Sequence, residues 1–140
     1  LATKLKFGDT SVSLSGFSGK GAAIYAGWGY NGAAGTAGSS ELDGNGDLLT
    51  VSGFSAGIGH KVSDKLRVNL RYGQVTTDAS SLADDTLKIT TANMIYAYVP
   101  GLEFGLELRD QSAASNGAPS GNIATRPAGQ QVEVMAMYKF

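Results

Sequence analysis

The chain has 140 residues, a formal net charge of −1, charged residues at only 16% and no cysteine. Gly supplies 20 positions, twice its ordinary share of about 7%, and each Gly inside a helix costs about 1 kcal/mol relative to Ala, so a helical bundle is excluded. The same numbers exclude a disulfide framework, Cys-ligated zinc, thiol catalysis, a polyelectrolyte partner for nucleic acid and an intrinsically disordered chain.

The opening Leu1-Ala2-Thr3-Lys4 carries neither an initiator Met nor an apolar signal core, so the chain is expected to begin after processing or to be a fragment. Over the first twenty residues the apolar positions change parity, from Leu5 and Phe7 to Val12 and Leu14, across Gly8-Asp9-Thr10. That change requires either a bulge in one long strand or a tight turn between two short ones. The first gives seven strands in all and the second gives eight. Ser18-Gly19-Lys20-Gly21 is expected to be another tight turn. It leads into residues 22–30, where Ala22, Ile24, Ala26, Trp28 and Tyr30 alternate with Gly27 and Gly29. Residues 21–40 form the longest uncharged stretch, but Gly, Ala, Ser and Asn do not make a transmembrane helix. If this chain meets a membrane, it does so as strands.

Period-two alternation, the mark of a half-buried strand, dominates the rest. Residues 48–62 place Phe54, Ala56 and Ile58 against Gly57, Gly59 and Lys61. Residues 67–74 carry the cleanest signal, with Leu66, Val68, Leu70 and Tyr72 against Arg67, Asn69, Arg71 and Gly73. Residues 88–99 have a strand composition with two mixed faces, so their outward side stays unassigned. Residues 103–110 set Phe104, Leu106 and Leu108 against Glu103, Gly105, Glu107 and Arg109. At the C-terminus Val132, Val134, Ala136, Tyr138 and Phe140 oppose Gln131, Glu133, Met135, Met137 and Lys139. Tight turns are expected at residues 62–65 and at Pro100-Gly101, a type II signal. Long polar connections are expected at 31–47, 76–85 and 112–129. Short turns at one end and long loops at the other define an antiparallel up-and-down barrel.

The charged, Gly-rich face suits a polar interior, which turns the apolar face outward. Trp28 and Tyr30, with Tyr96, Tyr98, Tyr138 and Phe140, sit near strand ends, as interfacial aromatics of membrane barrels do. A soluble β-sandwich or a lipocalin-like carrier shares the alternation but would put the apolar face inward.

Few motifs suggest other chemistry. Gly27-Trp28-Gly29-Tyr30-Asn31-Gly32 matches G-x-G-x-x-G but is followed by no helix-forming segment. Asp43, Asn45 and Asp47 have calcium-loop spacing without the Gly and Glu of a complete loop. His60 is the only histidine and has no nucleophile or Cys partner in the pattern. No catalytic constellation and no cofactor motif is present, so an enzyme is not expected.

The terminal row ending in Tyr138 and Phe140 resembles the last strand of bacterial outer-membrane proteins. Residues 13–30 (SLSGFSGKGAAIYAGWGY) and 95–109 (IYAYVPGLEFGLELR) are similar to strand–turn–strand units of Gram-negative general porins. That resemblance implies a transmembrane β-barrel in the bacterial outer membrane, of which this chain would be the C-terminal half of about sixteen strands. It implies a homotrimer, lipid and lipopolysaccharide on the outside, and recognition of Tyr138 and Phe140 by the barrel-assembly machinery. Small hydrophilic solutes would diffuse past a wall of Lys61, Arg67, Arg71, Glu103, Glu107, Arg109 and Glu133. The alternative is a complete eight-stranded barrel, filled by its own side chains, that serves as an anchor, adhesin or binding scaffold.

Overall fold

The computed structural model describes residues 1–22, 46–78, 85–114 and 129–140. These form seven strands: β1 (Ala2–Phe7), β2 (Thr10–Lys20), β3 (Thr50–Lys61), β4 (Leu66–Asp78), β5 (Asp85–Val99), β6 (Leu102–Ala114) and β7 (Gly129–Tyr138). All pair antiparallel with their chain neighbours in one up-and-down sheet of order β1-β2-β3-β4-β5-β6-β7. The sheet is not closed, and the outer edges of β1 and β7 bound it. Among the described residues no helix is long and apolar enough to cross a membrane.

The parity change near the N-terminus is a turn. Phe7 pairs with Thr10, and Gly8 takes φ 58 between them. A positive φ at the first central position, with none at Asp9, fits a type II′ hairpin. Gly101 takes φ 85 after Pro100, as the third residue of a type II turn requires. Residues 62–65 close the third hairpin, where Ser63 Oγ accepts from the backbone N–H groups of Lys65 and Leu66. These three turns lie at one end of the sheet, here the turn end. The strand ends at Lys20, Thr50, Asp78, Asp85, Ala114 and Gly129 lie at the other end, here the loop end.

Two expectations change, and a third falls on residues that are not described. Ser18, Gly19 and Lys20 are not a turn: they continue β2 and pair with Ser52, Val51 and Thr50. Among the described residues β1 covers the other edge of β2 only from Thr10 to Ser15, so Ser18 to Lys20 pair on the β3 side alone. The strand expected at 22–30, with Trp28 and Tyr30, lies outside the described residues. The strands also extend into the expected loops, because Thr76 pairs with Thr86 and Lys88 with Ser112. β-branched residues such as these Thr suit a pleated ladder.

Register places every side chain on one of two faces. The outer face carries Leu5 and Phe7 from β1, Val12 and Leu14 from β2, and Phe54, Ala56 and Ile58 from β3. It continues through Leu66 to Tyr72 on β4, Ala92 to Tyr96 on β5, Phe104 to Leu108 on β6 and Val132 to Tyr138 on β7, at alternate positions. β5 is thereby assigned: its even positions belong to the apolar face. Its mixed look has a cause, because the polarity of both faces reverses toward the loop end. There the outer face carries Ser52, Gln74, Thr76, Lys88 and Ser112, while the inner face carries Val51, Val75, Leu87 and Ile89. Val51 is fully buried and Leu87 nearly so, making a small core with Leu49.

The apolar belt crosses the hydrogen-bonded rows obliquely. Phe54 is its last member toward the loop end on β3; on β4 it is Tyr72, one row lower, and on β5 Ala92, two rows lower. The opposite limit moves the same way, from Ile58 on β3 to Leu66 on β4 and beyond Tyr96 on β5. Two rows are four residues, a shift of about 13 Å along the strands. Aromatic side chains border the belt: Phe54 and Tyr72, ring centroids 5.7 Å apart, on one limit, and Tyr98 and Phe104, 6.3 Å apart, on the other.

Candidate functional site

The inner face is the chemically distinctive surface. It begins with the glycines of β3, which leave room for polar neighbours to lean across that strand. A Cβ on Gly57 would stand 2.9 Å from Ser13 Oγ, and one on Gly59 would stand 2.7 Å from Asn69 Oδ1. Gly53 instead seats the ring of Phe17, which a Cβ there would approach to 2.6 Å. Met135 covers Gly105 in the same way on the β6–β7 side.

On this floor the charged residues form ladders across the strands. Arg67 on β4 reaches over β5 to Glu103 on β6, its Nη1 and Nη2 donating to Oε1 and Oε2 at 3.2 and 3.0 Å. A paired fork of this kind fixes both planes and is stronger than a single neutral hydrogen bond. Lys139 Nζ stands 3.7 Å from the same carboxylate. One row along, Asn69, Asn93, Glu107 and Glu133 are in register on four successive strands. Asn69 Nδ2 donates to Asn93 Oδ1 at 2.7 Å, and Asn93 Nδ2 donates to Glu107 Oε2 at 3.1 Å. Arg109 Nη2 lies 3.0 Å from Glu107 Oε1 and 3.7 Å from Glu133 Oε1.

Two predicted wall residues differ from the rest. Lys61 is held at the turn end by Asp64, 2.6 Å away, so it belongs to the rim more than to the wall. That lysine pulls the exposed Asp64 carboxyl below its ordinary pKa, through the hydrogen bond first and the charge second. Arg71 donates from Nη2 to Ser55 Oγ at 3.2 Å, and Ser55 Oγ is 2.8 Å from Ser15 Oγ. Among the described residues Arg71 has no carboxylate within salt-bridge distance.

Charge is unevenly divided over this face. Among the described residues, strands β1–β4 place Lys4, Lys6, Lys61, Arg67 and Arg71 on this face, whereas Glu103, Glu107 and Glu133 all come from β6 and β7. The acidic residues share a wall with the cations, and Glu103 bridges to Arg67 across the intervening β5. The row Asn69–Asn93–Glu107–Glu133 was not singled out from sequence. It depends on the parity of β5, which its mixed composition hides.

The inner face also holds an open recess of about 540 Å³. Its lining changes character along the strands, from Arg71, Thr91, Glu107 and Arg109 toward the turn end to Phe17, Val75, Leu87 and Ile89 toward the loop end.

The remaining predicted residues fall elsewhere. Tyr138 and Phe140 lie at the turn end, exposed, with ring centroids 6.2 Å apart. Asp47 is exposed just before β3, while Asp43 and Asn45 lie outside the described residues. His60 sits on the outer face near the turn end, its Nδ1 2.9 Å from Thr10 Oγ1. No family model, curated protein or solved structure matches this chain.

Proposed function

We infer that this chain forms part of the wall of an outer-membrane porin, a water-filled channel for passive diffusion of small hydrophilic solutes and ions. One observation carries the reading: solvent exposure is inverted. Over residues 92–109 of β5 and β6 the exposed side chains are apolar (among them Met94, Tyr96, Phe104, Leu106 and Leu108), while the charged and amide side chains of Asn93, Glu103, Glu107 and Arg109 are half-buried. Val134 on β7 is 80% exposed, whereas the Glu103 side chain is 14% exposed. In water this arrangement is unfavourable at roughly 25 cal/mol for each Å² of apolar surface left uncovered. Against hydrocarbon it is the favoured one. The oblique belt and its aromatic borders support the same reading, because strands of a membrane barrel cross the bilayer with a tilt of about 35–45°.

The channel mechanism is electrostatic. A polar wall lowers the cost of moving an ion out of bulk water, and its net charge biases the sign of what passes. Arg67 and Glu103 largely cancel, as do Arg109 and Glu107, so the excess positive charge rests with Arg71 and the β1 lysines. Among the described residues the outer edges of β1 and β7 are unpaired, which favours a larger barrel, since an unpaired strand edge is not tolerated in hydrocarbon. The porin resemblance adds a homotrimer, lipopolysaccharide on the outer leaflet and delivery by the barrel-assembly machinery through Tyr138 and Phe140.

The test is conductance across a planar bilayer by the protein purified from its native membrane. Discrete steps are expected, and Arg67→Gln with Arg71→Gln should shift the reversal potential in a salt gradient toward cations. Protein that inserts but passes no current would replace the porin with a closed, side-chain-filled anchor. Protein that stays soluble without detergent would overturn both.

A further inference from the structure

We propose that the inner recess is a binding site for small monocarboxylates with an apolar body, which makes it a solute-selecting station on the wall. The proposal rests on the porin reading for its consequence, solute choice, though not for the binding itself.

The recess exists because its floor lacks side chains at the centre. Gly73 lies between Ser55 on β3 and Ile89 on β5, with Arg71 and Val75 two residues to either side along β4. A Cβ built on Gly73 would meet only ordinary contacts, 3.7 Å from Ser55 Cβ and 3.8 Å from Phe54 O, so the space above it is open. Next to it Gly53 lets the Phe17 ring lie flat enough to form one side. The volume of about 540 Å³ is that of an ordinary small-molecule site.

Each half of the recess selects a different half of a ligand. Toward the loop end Phe17, Val75, Leu87 and Ile89 offer apolar surface, anchored by the nearly buried Leu87. Toward the turn end two guanidiniums face the space, and they differ. Arg109 is already engaged by two carboxylates, those of Glu107 and Glu133. Arg71 spends one contact on Ser55 and meets no carboxylate among the described residues. A guanidinium has five N–H donors and pairs with a carboxylate through two of them. Arg71 is thus the guanidinium left without a carboxylate partner among the described residues, bordered by the Ser15 and Ser55 hydroxyls and set against an apolar wall. That combination suits a single carboxylate on an aromatic or short aliphatic body. It disfavours a dianion, whose second charge would meet Glu107 or the apolar half.

The experiment is a titration of the full chain, folded in detergent micelles, with benzoate, read from the backbone amide shifts of Gly73 and Ser55. Saturable shifts are expected. Acetate and benzamide, which each keep one half of the ligand, should bind at least about tenfold more weakly, as expected for loss of a charged hydrogen bond or of the ring's buried surface. Arg71→Gln should weaken benzoate by a similar factor. Gly73→Leu should abolish binding while leaving a folded spectrum, and Lys65→Gln in the turn should change nothing. Non-saturating shifts, equal affinity for acetate or benzamide, or indifference to Arg71→Gln would overturn the site. Conductance separates the two readings: a chain that binds benzoate but never conducts keeps the site and sinks the porin, and one that conducts without binding does the reverse.

Discussion

The turn-end and loop-end halves of the sheet share the same strands but assign their faces in opposite ways. At the turn end apolar side chains point outward and the charged ladders of Arg67, Glu103, Arg109 and Glu107 point inward. At the loop end Gln74, Thr76 and Lys88 point outward while Val51 and Leu87 are buried on the inner side. Apart from a register shift between Ala97 and Val99 near the turn end of β5, the alternation is kept; only the residue types exchange places. Backbone pleating fixes that neighbours face opposite ways, and the medium on each side decides which kind of residue belongs there. The loop-end half has the polarity of a water-soluble sheet and the turn-end half has its inverse, which the proposed contact with lipid accounts for.

The largest effect expected is at the loop-end core. Leu87→Ala should lower the unfolding free energy by about 2–5 kcal/mol, as cavity-forming core substitutions do. Urea unfolding of vesicle-embedded protein measures it, and a negligible change would mean that this half is not packed as a soluble core.

The sharpest comparison uses one face and two depths. Leu106→Arg, at the middle of the apolar belt, should cost about 2–4 kcal/mol in lipid, and Gln74→Arg, on the same face beyond the belt, about 0–1 kcal/mol. Equal costs in the same unfolding assay would erase the distinction between the halves. Next comes Gly53→Ala, whose Cβ would lie 2.6 Å from the Phe17 ring and 3.0 Å from Gln74 O. A loss of about 1–3 kcal/mol is expected from this overpacking. Gly129→Ala, with nothing within 4 Å, should be nearly neutral.

The smallest effect concerns the turn end itself. The Asp64 carboxyl is held below its ordinary pKa by Lys61. A lowered folded pKa means that its contribution is present above the unfolded value, near 3.9, and is lost as pH falls through the folded value. A melting series from pH 5 to pH 2 should therefore show a slight acid loss that Asp64→Asn removes. A wild-type profile identical to that of Asp64→Asn would show that the pair contributes nothing.

Much of this was legible in the residues. The alternation from Leu66 to Tyr72 and from Phe104 to Leu108 identified strands and their faces, since a period of two is a direct consequence of the pleat. Pro100-Gly101 announced its turn because only a positive φ closes it. The stretch 88–99 was opaque for the reason given by the two halves: its polarity reverses midway, so neither face reads as uniform. Ser18 to Lys20 misled because Gly and Ser are turn residues by propensity, yet here they pair with β3. Propensity in a strand yields to the ladder available beside it.

By itself the sequence determined an all-β chain, the parity of most strands, the tight turns at 62–65 and Pro100-Gly101 and the separation of apolar from charged residues, while Gly8 to Thr10 stayed open between a bulge and a turn. These follow from local chemistry: the pleat, the φ demanded by a turn and the cost of Gly in a helix. Only the tertiary structure decided which charges meet. Arg67 finds Glu103 across an intervening strand, Arg109 finds Glu107 and Glu133, and Arg71 is left facing an open recess. Those pairings depend on register between strands far apart in the chain, and a sliding window along one strand carries no information about its neighbour's offset.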